Sequence, residues 1–201
     1  MAGNVSSDCA VEKAALRKDA EGRRRALSPE VVQRWGGEVQ RHLAALPLFS
    51  DRVVRAVAVY DAQKFEVPLA DFVLELSSRG VQCVYPRVVK GTRELVFHHV
   101  ADDQWVKGPF GIREPALHSP VRAVQDIDVF IVPGVAFTRD GRRIGRGAGY
   151  YDSTLALRNP QAMTVGVAFE CNVVERVPTE PHDVSVDFLV TERGVFPGVS
   201  P

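Results

Sequence analysis

Residues 143 to 152 read R-I-G-R-G-A-G-Y-Y-D, with glycine at every second position from 145 to 149, arginine at 143 and 146, paired tyrosines and a terminal aspartate. Each of these residue types has a use at an anionic ligand. Gly145, Gly147 and Gly149 lack a Cβ, so the backbone can take positive φ, gather successive N–H groups and approach a phosphate closely, with Ala148 among them. Arg143 and Arg146 can add charge-assisted bonds to phosphate oxygens. Tyr150 and Tyr151 offer flat faces to a heterocycle, and Asp152 is the hard oxygen donor that Mg²⁺ prefers. A helix expected over 151 to 157 would present its N-terminal end to the same ligand. The loop matches neither G-x-x-x-x-G-K-[ST] nor G-x-G-x-x-G, so on its own it fits a nucleotide loop and a tight surface turn alike.

Other candidates lie far from this stretch. Lys13 and Arg17 are four residues apart, a spacing that sets both on one helical face within reach of one phosphate chain. Glu66 stands just past an apolar run and before a helix beginning near Pro68, a usual ligand position in an open α/β sheet. Tyr60 and Asp61 end the same run. By residue type alone, Lys13 and Arg17 read as a solvated basic face and Glu66 as a surface carboxylate. His98, His99, His118 and His182 show no metal-ligand spacing, and Trp35 and Trp105 read as packing residues.

The elements that must position these groups follow from periodicity. Residues 10 to 46 carry a charged helical pattern that Ser28-Pro29-Glu30 breaks, because a serine N-cap followed by proline restarts a helix. The β-branched runs 53–60, 81–85, 94–100, 128–133, 164–169 and 186–191 read as strands, the second stopped by Pro86. Residues 68 to 78 read as a helix ending at Gly80, and 101 to 125 as irregular. Alternation of strand and helix implies a single-domain α/β fold: an open, largely parallel sheet flanked by helices. The domain is expected over residues 10–193, with 1–9 and 194–201 as loose tails.

Composition bounds the function class. The chain has 201 residues, 45% of them hydrophobic, enough to bury one substantial core. Lys plus Arg equals Asp plus Glu at 25 each, so there is no global positive field of the kind a nucleic-acid binder uses, and anions must be held locally. Cys9, Cys83 and Cys171 are few, scattered and odd in number, which implies neither a disulfide framework nor a zinc cluster and points to a reducing compartment. No apolar run reaches the roughly 20 residues of a membrane span, and the first residues are polar rather than a signal-peptide core. A soluble, cytoplasmic protein is expected from these features; a monomer is expected as well, though no feature of the sequence sets the oligomeric state.

The segment V-P-G-V-A-F-T-R-D-G-R-R-I-G-R-G-A-G-Y-Y-D, from Val132 to Asp152, resembles the signature of the 5-formyltetrahydrofolate cyclo-ligase family, also called methenyltetrahydrofolate synthetase. Further pieces stand in the family's order. Lys13 and Arg17 match its amino-terminal Lys-x-x-x-Arg, Glu66 its substrate-contacting glutamate, and Pro86-Arg87 a strand-ending Pro-Arg. Phe110-Gly-Ile-Arg-Glu-Pro115 resembles a family segment, as do Val165 to Phe169, Val177 to Asp183, Val186-Asp187 and Thr191-Glu192. The resemblance spans about residues 10 to 193. Two positions depart from it: Ala148 stands where relatives commonly carry Gly or Lys, and Leu69 replaces a commonly polar residue.

The resemblance implies ATP-dependent, Mg²⁺-dependent closure of 5-formyltetrahydrofolate, polyglutamylated or not, to the 5,10-methenyl form. It implies ATP contacts from Lys13, Arg17, Arg143 and the 145–151 loop, and substrate contacts from Tyr60, Asp61, Glu66 and residues 146–150. Arg146 and Glu66 would be the catalytic pair, with Asp152 and Asp183 as metal ligands. Two rivals stay open on the sequence: a related ATP-dependent ligase or kinase acting on another substrate, and a non-catalytic folate- or nucleotide-binding protein.

Overall fold

A computed structural model describes residues 3–101, 104–108 and 111–198, with side chains from residue 9 onward. Helix α1 (Gly3–Arg25) and helix α2 (Pro29–Ala44) meet at the expected break. Ser28 is extended, its side chain accepts the Val31 N–H at 3.4 Å, and Pro29 opens α2 where its missing N–H costs nothing. Helix α1 begins at Gly3, which corrects the expected loose tail over 1–9. Adding residues to an existing helix forms one bond for each residue fixed and needs no new nucleus. Residues 1–2 and 199–201 lie outside the described residues, as does Phe110.

Among the described residues the chain continues as β1 (Ala56–Ala58), α3 (Ala70–Ser78), β2 (Gln82–Val88) and β3 (Leu95–His98). Then come β4 (Trp105–Lys107), β5 (Arg113–Pro115), β6 (Val121–Arg122), β7 (Val129–Pro133), β8 (Ala136–Phe137) and β9 (Arg143–Ile144). Helix α4 (Tyr150–Leu155), β10 (Met163–Val167), β11 (Phe188–Thr191) and β12 (Gly194–Pro197) complete it. One sheet runs β12-β11-β10-β7-β1-β2-β3-β6, and β2, β1, β7, β10 and β11 are mutually parallel. The expected α/β class and largely parallel sheet are therefore present.

Three expectations need correction. Pro86 does not stop β2: the pairing with β1 ends at Ala58↔Val84, and from Tyr85 onward β2 pairs antiparallel with β3, with Pro86 opposite Phe97. A proline is tolerated where a strand is paired on one side only. Residues 101–125 are not wholly irregular, since β4 and β5 form a hairpin and β6 extends the sheet edge. The tail from 194 is not loose either, because β12 pairs antiparallel with β11 from Thr191↔Gly194 to Phe188↔Pro197, with Gly194 at φ 137° in the turn. An open edge strand offers unpaired N–H and C=O groups, and β12 satisfies them.

Alternate residues of each central strand enter different layers, because side chains on a strand alternate faces. Val57, Val129, Ile131, Val165, Val167 and Val190 pack with Val39 and Leu43 of α2 and Phe72 and Leu76 of α3. Ala58, Phe130, Val132 and Leu189 pack with Phe97, Phe137 and Leu155 on the other face. Both faces are covered, hence the near-continuous apolar strand sequences. Taken alone, the parallel strands run 2-1-3-4-5 in chain order, so the direction of winding reverses between β1 and β7. The loops leaving the carboxyl ends of those two strands diverge, and a crevice opens there. No helix among the described residues is long and apolar enough to cross a membrane.

Candidate active site

The loop after β1 builds one wall of the crevice. The buried Tyr60 hydroxyl donates to the Val67 carbonyl at 2.9 Å and ties the loop's two ends together. Within it the Glu66 N–H donates to Gln63 O at 2.8 Å, and Glu66 Oε2 accepts the Gln63 N–H at 2.9 Å. Phe65, at φ 70°, is the one non-glycine residue with positive φ among those described. It stands immediately before Glu66 in a region costly for a bulky L-residue. Glu66 Oε1 accepts from Arg146 Nη2 at 2.6 Å. Arg24, Tyr60, Glu66, Gly134, Ala168 and Asn172 line a small cavity on the inner side of this loop. Burial pushes the Tyr60 phenol well up, and the negative charge of Glu66 adds to the effect.

Helix α1 supplies the cations. Asn172 Nδ2 donates to Ala20 O at 2.8 Å and to Val135 O at 2.9 Å, pinning the buried Ala20 face against Val135 and Ala136. Lys13, Arg17, Ala20 and Arg24 recur every three or four residues and so share that stripe. Lys13 Nζ, with its side chain 9% exposed, lies 2.6 Å from Asp183 Oδ2 and 2.9 Å from Glu180 Oε2. Burial lowers its pKa, but hydrogen bonds and charge from Asp183 and Glu180 outweigh that and leave it above the ordinary lysine value. Arg17 Nε donates to Gly145 O at 2.9 Å.

The β8–β9 hairpin, which periodicity missed because its strands are two residues each, carries the glycine loop into α4. Gly147 at φ 99° and Gly149 at φ 73° use the freedom expected of them, and Gly149 is the N-cap of α4. Gly145 has no positive φ, and α4 is only six residues long. A Cβ on Gly147 would meet Arg17 Cζ at 3.4 Å, so the loop lies against α1. Arg146, Gly147 and Ala148 are exposed, while Tyr150 and Tyr151 pack against the second core layer. Arg143, with a side chain 4% exposed, reaches Asp152 Oδ1 at 2.7 Å, and that oxygen also accepts the Val184 N–H at 3.1 Å. Burial depresses the Arg143 pKa despite the opposing charges of Asp152 and Asp183, and its Nε is buried without a partner among the described residues.

The sequence-derived candidates thus converge from four separate elements. Lys13, Arg17, Glu66, the 143–151 loop, Asp152 and Asp183 are joined by direct ion pairs or backbone bonds. Asp61 instead faces the β4–β5 hairpin, where Arg113 holds both its oxygens at 3.0 and 2.7 Å and lies over the Trp105 ring, 5.0 Å from its centroid. Asp152 and Asp183 each contact a protein cation, Arg143 and Lys13 respectively. His182 does join carboxylates: donors of Glu180, His182 and Asp183 lie within 4.8 Å of one another. Sequence reasoning missed Arg24, Glu180 and the conformation of Phe65. The 13-17-20-24 spacing was a signal for Arg24; nothing local marked Phe65.

Residues 10–192 match the model of the 5-formyltetrahydrofolate cyclo-ligase family. The 5-formyltetrahydrofolate cyclo-ligase of Mycolicibacterium smegmatis is 31% identical over 91% of this chain and 95% of its own length. That of Escherichia coli K12 is 30% identical over 87% and 97%. Among solved structures, the 5,10-methenyltetrahydrofolate synthetase of Aquifex aeolicus superposes with a TM-score of 0.78 at 35% identity, covering 94% of this chain and 95% of that one. The Mycoplasma pneumoniae synthetase gives 0.75 at 27%, covering 90% and 99%. With its family model matched almost end to end, and its candidate residues gathered at the sheet's switch point, the chain belongs to the 5-formyltetrahydrofolate cyclo-ligase family of enzymes.

Proposed function

We propose that this chain closes 5-formyltetrahydrofolate to 5,10-methenyltetrahydrofolate while converting ATP to ADP and phosphate. The observation that carries the reading is the meeting, beyond the carboxyl ends of the central strands, of a largely covered carboxylate (Glu66) with a cationic cluster of Arg17, Arg146 and the Gly147 turn, with Lys13 on the same helical face as Arg17. The chemical obstacle is an amide: N10 cannot expel the oxygen of the N5-formyl group. Transfer of the γ-phosphoryl group to that oxygen, with ADP departing, makes it a phosphate ester. N10 then attacks the formyl carbon, the carbon–oxygen bond breaks, phosphate leaves and the N10 proton is lost. Such a reaction asks the protein for alignment and charge neutralisation rather than covalent participation.

Glu66 would accept N–H bonds from the pterin, its carboxylate fixed by the Gln63 turn. Arg146, on a loop that the Arg17–Gly145 bond holds in place, would stabilise charge on the transferring phosphoryl group. Lys13 and Arg17 would hold the triphosphate. A divalent cation fits the donor set present: Asp183 Oδ1 and Asp152 Oδ2 accept no hydrogen bond among the described residues, so each carboxylate keeps one hard donor oxygen. When bound, Mg²⁺ would supply charge neutralisation at the phosphate oxygens. The test mixes protein, 5-formyltetrahydrofolate and MgATP and follows the near-ultraviolet absorbance of the methenyl product. Product should appear, vanish in excess chelator and return with added Mg²⁺. Folded protein that forms none would overturn the proposal.

A further inference from the structure

The Arg146–Glu66 pair joins the residue that would serve the transferring phosphoryl group with the one that would hold the pterin. Its two ends differ physically. The Glu66 side chain is 10% exposed and that of Arg146 is 51% exposed. A carboxylate so poorly hydrated needs a donor at all times, whereas an arginine half in water can swing away at little desolvation cost. The neighbouring Arg143–Asp152 pair lacks this asymmetry at its cation, whose side chain is only 4% exposed, and so behaves as a fixed part of the floor.

Resting on the reading above, we infer that Arg146 is a placeholder on Glu66 in the ligand-free protein, and that folate binding displaces it toward the phosphates. The pterin N–H groups take over the Glu66 oxygen that Arg146 held, and the released guanidinium is then available to ATP. Nucleotide binding alone must draw Arg146 off a poorly hydrated carboxylate and leave Glu66 a donor short. The two ligands therefore bind with positive coupling, carried by an exchange of partners at one oxygen, and the coupling is reciprocal. This separates two roles for Arg146: it competes with ground-state folate at Glu66 and serves the nucleotide afterwards.

Titration calorimetry tests this, using a non-hydrolysable ATP analogue with Mg²⁺, with and without saturating 5-formyltetrahydrofolate. The analogue should bind about tenfold more tightly in the presence of folate, and folate should gain the same factor from the analogue. Arg146→Ala should abolish the coupling and weaken the analogue while leaving folate affinity equal or higher, since the competitor for Glu66 is gone. Glu66→Gln should weaken folate yet raise affinity for the analogue alone toward the folate-bound value, since Arg146 is released. A merely structural pair, or an arginine that contacts both ligands, would lower both affinities in Arg146→Ala, and that result would overturn the inference. Independent binding of the two ligands to the parent protein would overturn it too, with the proposed function intact. Absence of binding by either ligand would remove the proposed function and the exchange together.

Discussion

Phe65 shows how much a single backbone angle can decide. Its φ of 70° turns the chain so that Glu66 folds back onto the Gln63 N–H and forward to Arg146. Phe65→Gly and Phe65→Asn can adopt this conformation, so KM for 5-formyltetrahydrofolate should stay within about threefold of the parent. Phe65→Val, β-branched and poorly tolerated there, should raise it about tenfold or more with KM for ATP little changed. Equal behaviour of Val and Gly in steady-state kinetics would show that the turn does not position Glu66. Gly147 is the counterpart on the side proposed for phosphate. At φ 99°, with Arg17 3.4 Å from an added Cβ, Gly147→Val should cost most of kcat/KM for ATP and about 1 to 2 kcal/mol of stability. Position 148 already carries a methyl group in open surroundings, so Ala148→Gly and Ala148→Lys should both retain activity. Circular dichroism and denaturant titration separate folding from function in each variant.

Among the elements, the packing of α2 against the segment entering α3 anchors the Glu66 loop from behind. Gly36 lies in α2 where a Cβ would come within 2.5 Å of Pro68 Cγ and 2.6 Å of Cδ, two residues past Glu66. Alanine would gain helix propensity of about 1 kcal/mol, but overpacking of that kind costs about 1 to 3 kcal/mol. Because a proline ring cannot rotate aside, the overpacking wins. Gly36→Ala should lower the denaturation midpoint and also raise KM for folate, by shifting the loop. A gain in midpoint with KM unchanged would show that α2 yields freely. Much at this scale could be read from the sequence: the Ser28-Pro29 restart, the long helices and the apolar parallel strands all announce themselves through local chemistry. The strands β4, β5, β6, β8, β9 and β12 did not, since two- to four-residue strands have no period to detect and exist only where a partner's edge meets them.

For the molecule as a whole, buried titratable groups set its tolerance of alkali. Lys13 keeps its proton above the ordinary lysine value through Asp183 and Glu180, so its contribution is complete below about pH 10.5 and is lost as pH rises through the higher folded value. Burial pushes the Cys83 thiol up to about 11 and the Tyr85 phenol up to about 12. Unfolding frees both to ionise from their ordinary values of 9.0 and 10.0. All three act with the same sign, so stability should fall between pH 9 and 12 by on the order of 2 to 4 kcal/mol. Urea midpoints at pH 8 and pH 11 measure the fall, and Lys13→Met should lessen it; a flat profile would count against these burial assignments. Residue type and order in the sequence determined the α/β class and carried the family resemblance, and it was the resemblance that turned Lys13, Arg17, Glu66, Arg143, Arg146, Asp152 and Asp183 into site candidates. Only the tertiary structure decided which carboxylate holds which cation, that Asp61 faces Arg113, that Arg24 and Glu180 lie beside the candidate residues, and that β12 pairs onto β11 at the end of the sheet. The reason is physical: helix spacing and strand alternation are local properties of the chain, whereas an ion pair such as Arg146–Glu66 spans residues 80 apart in sequence. Such a pair exists only because the parallel pairing of β1 with β7 sets the Glu66 loop and the chain beyond β7 on either side of one crevice, at the same end of the sheet.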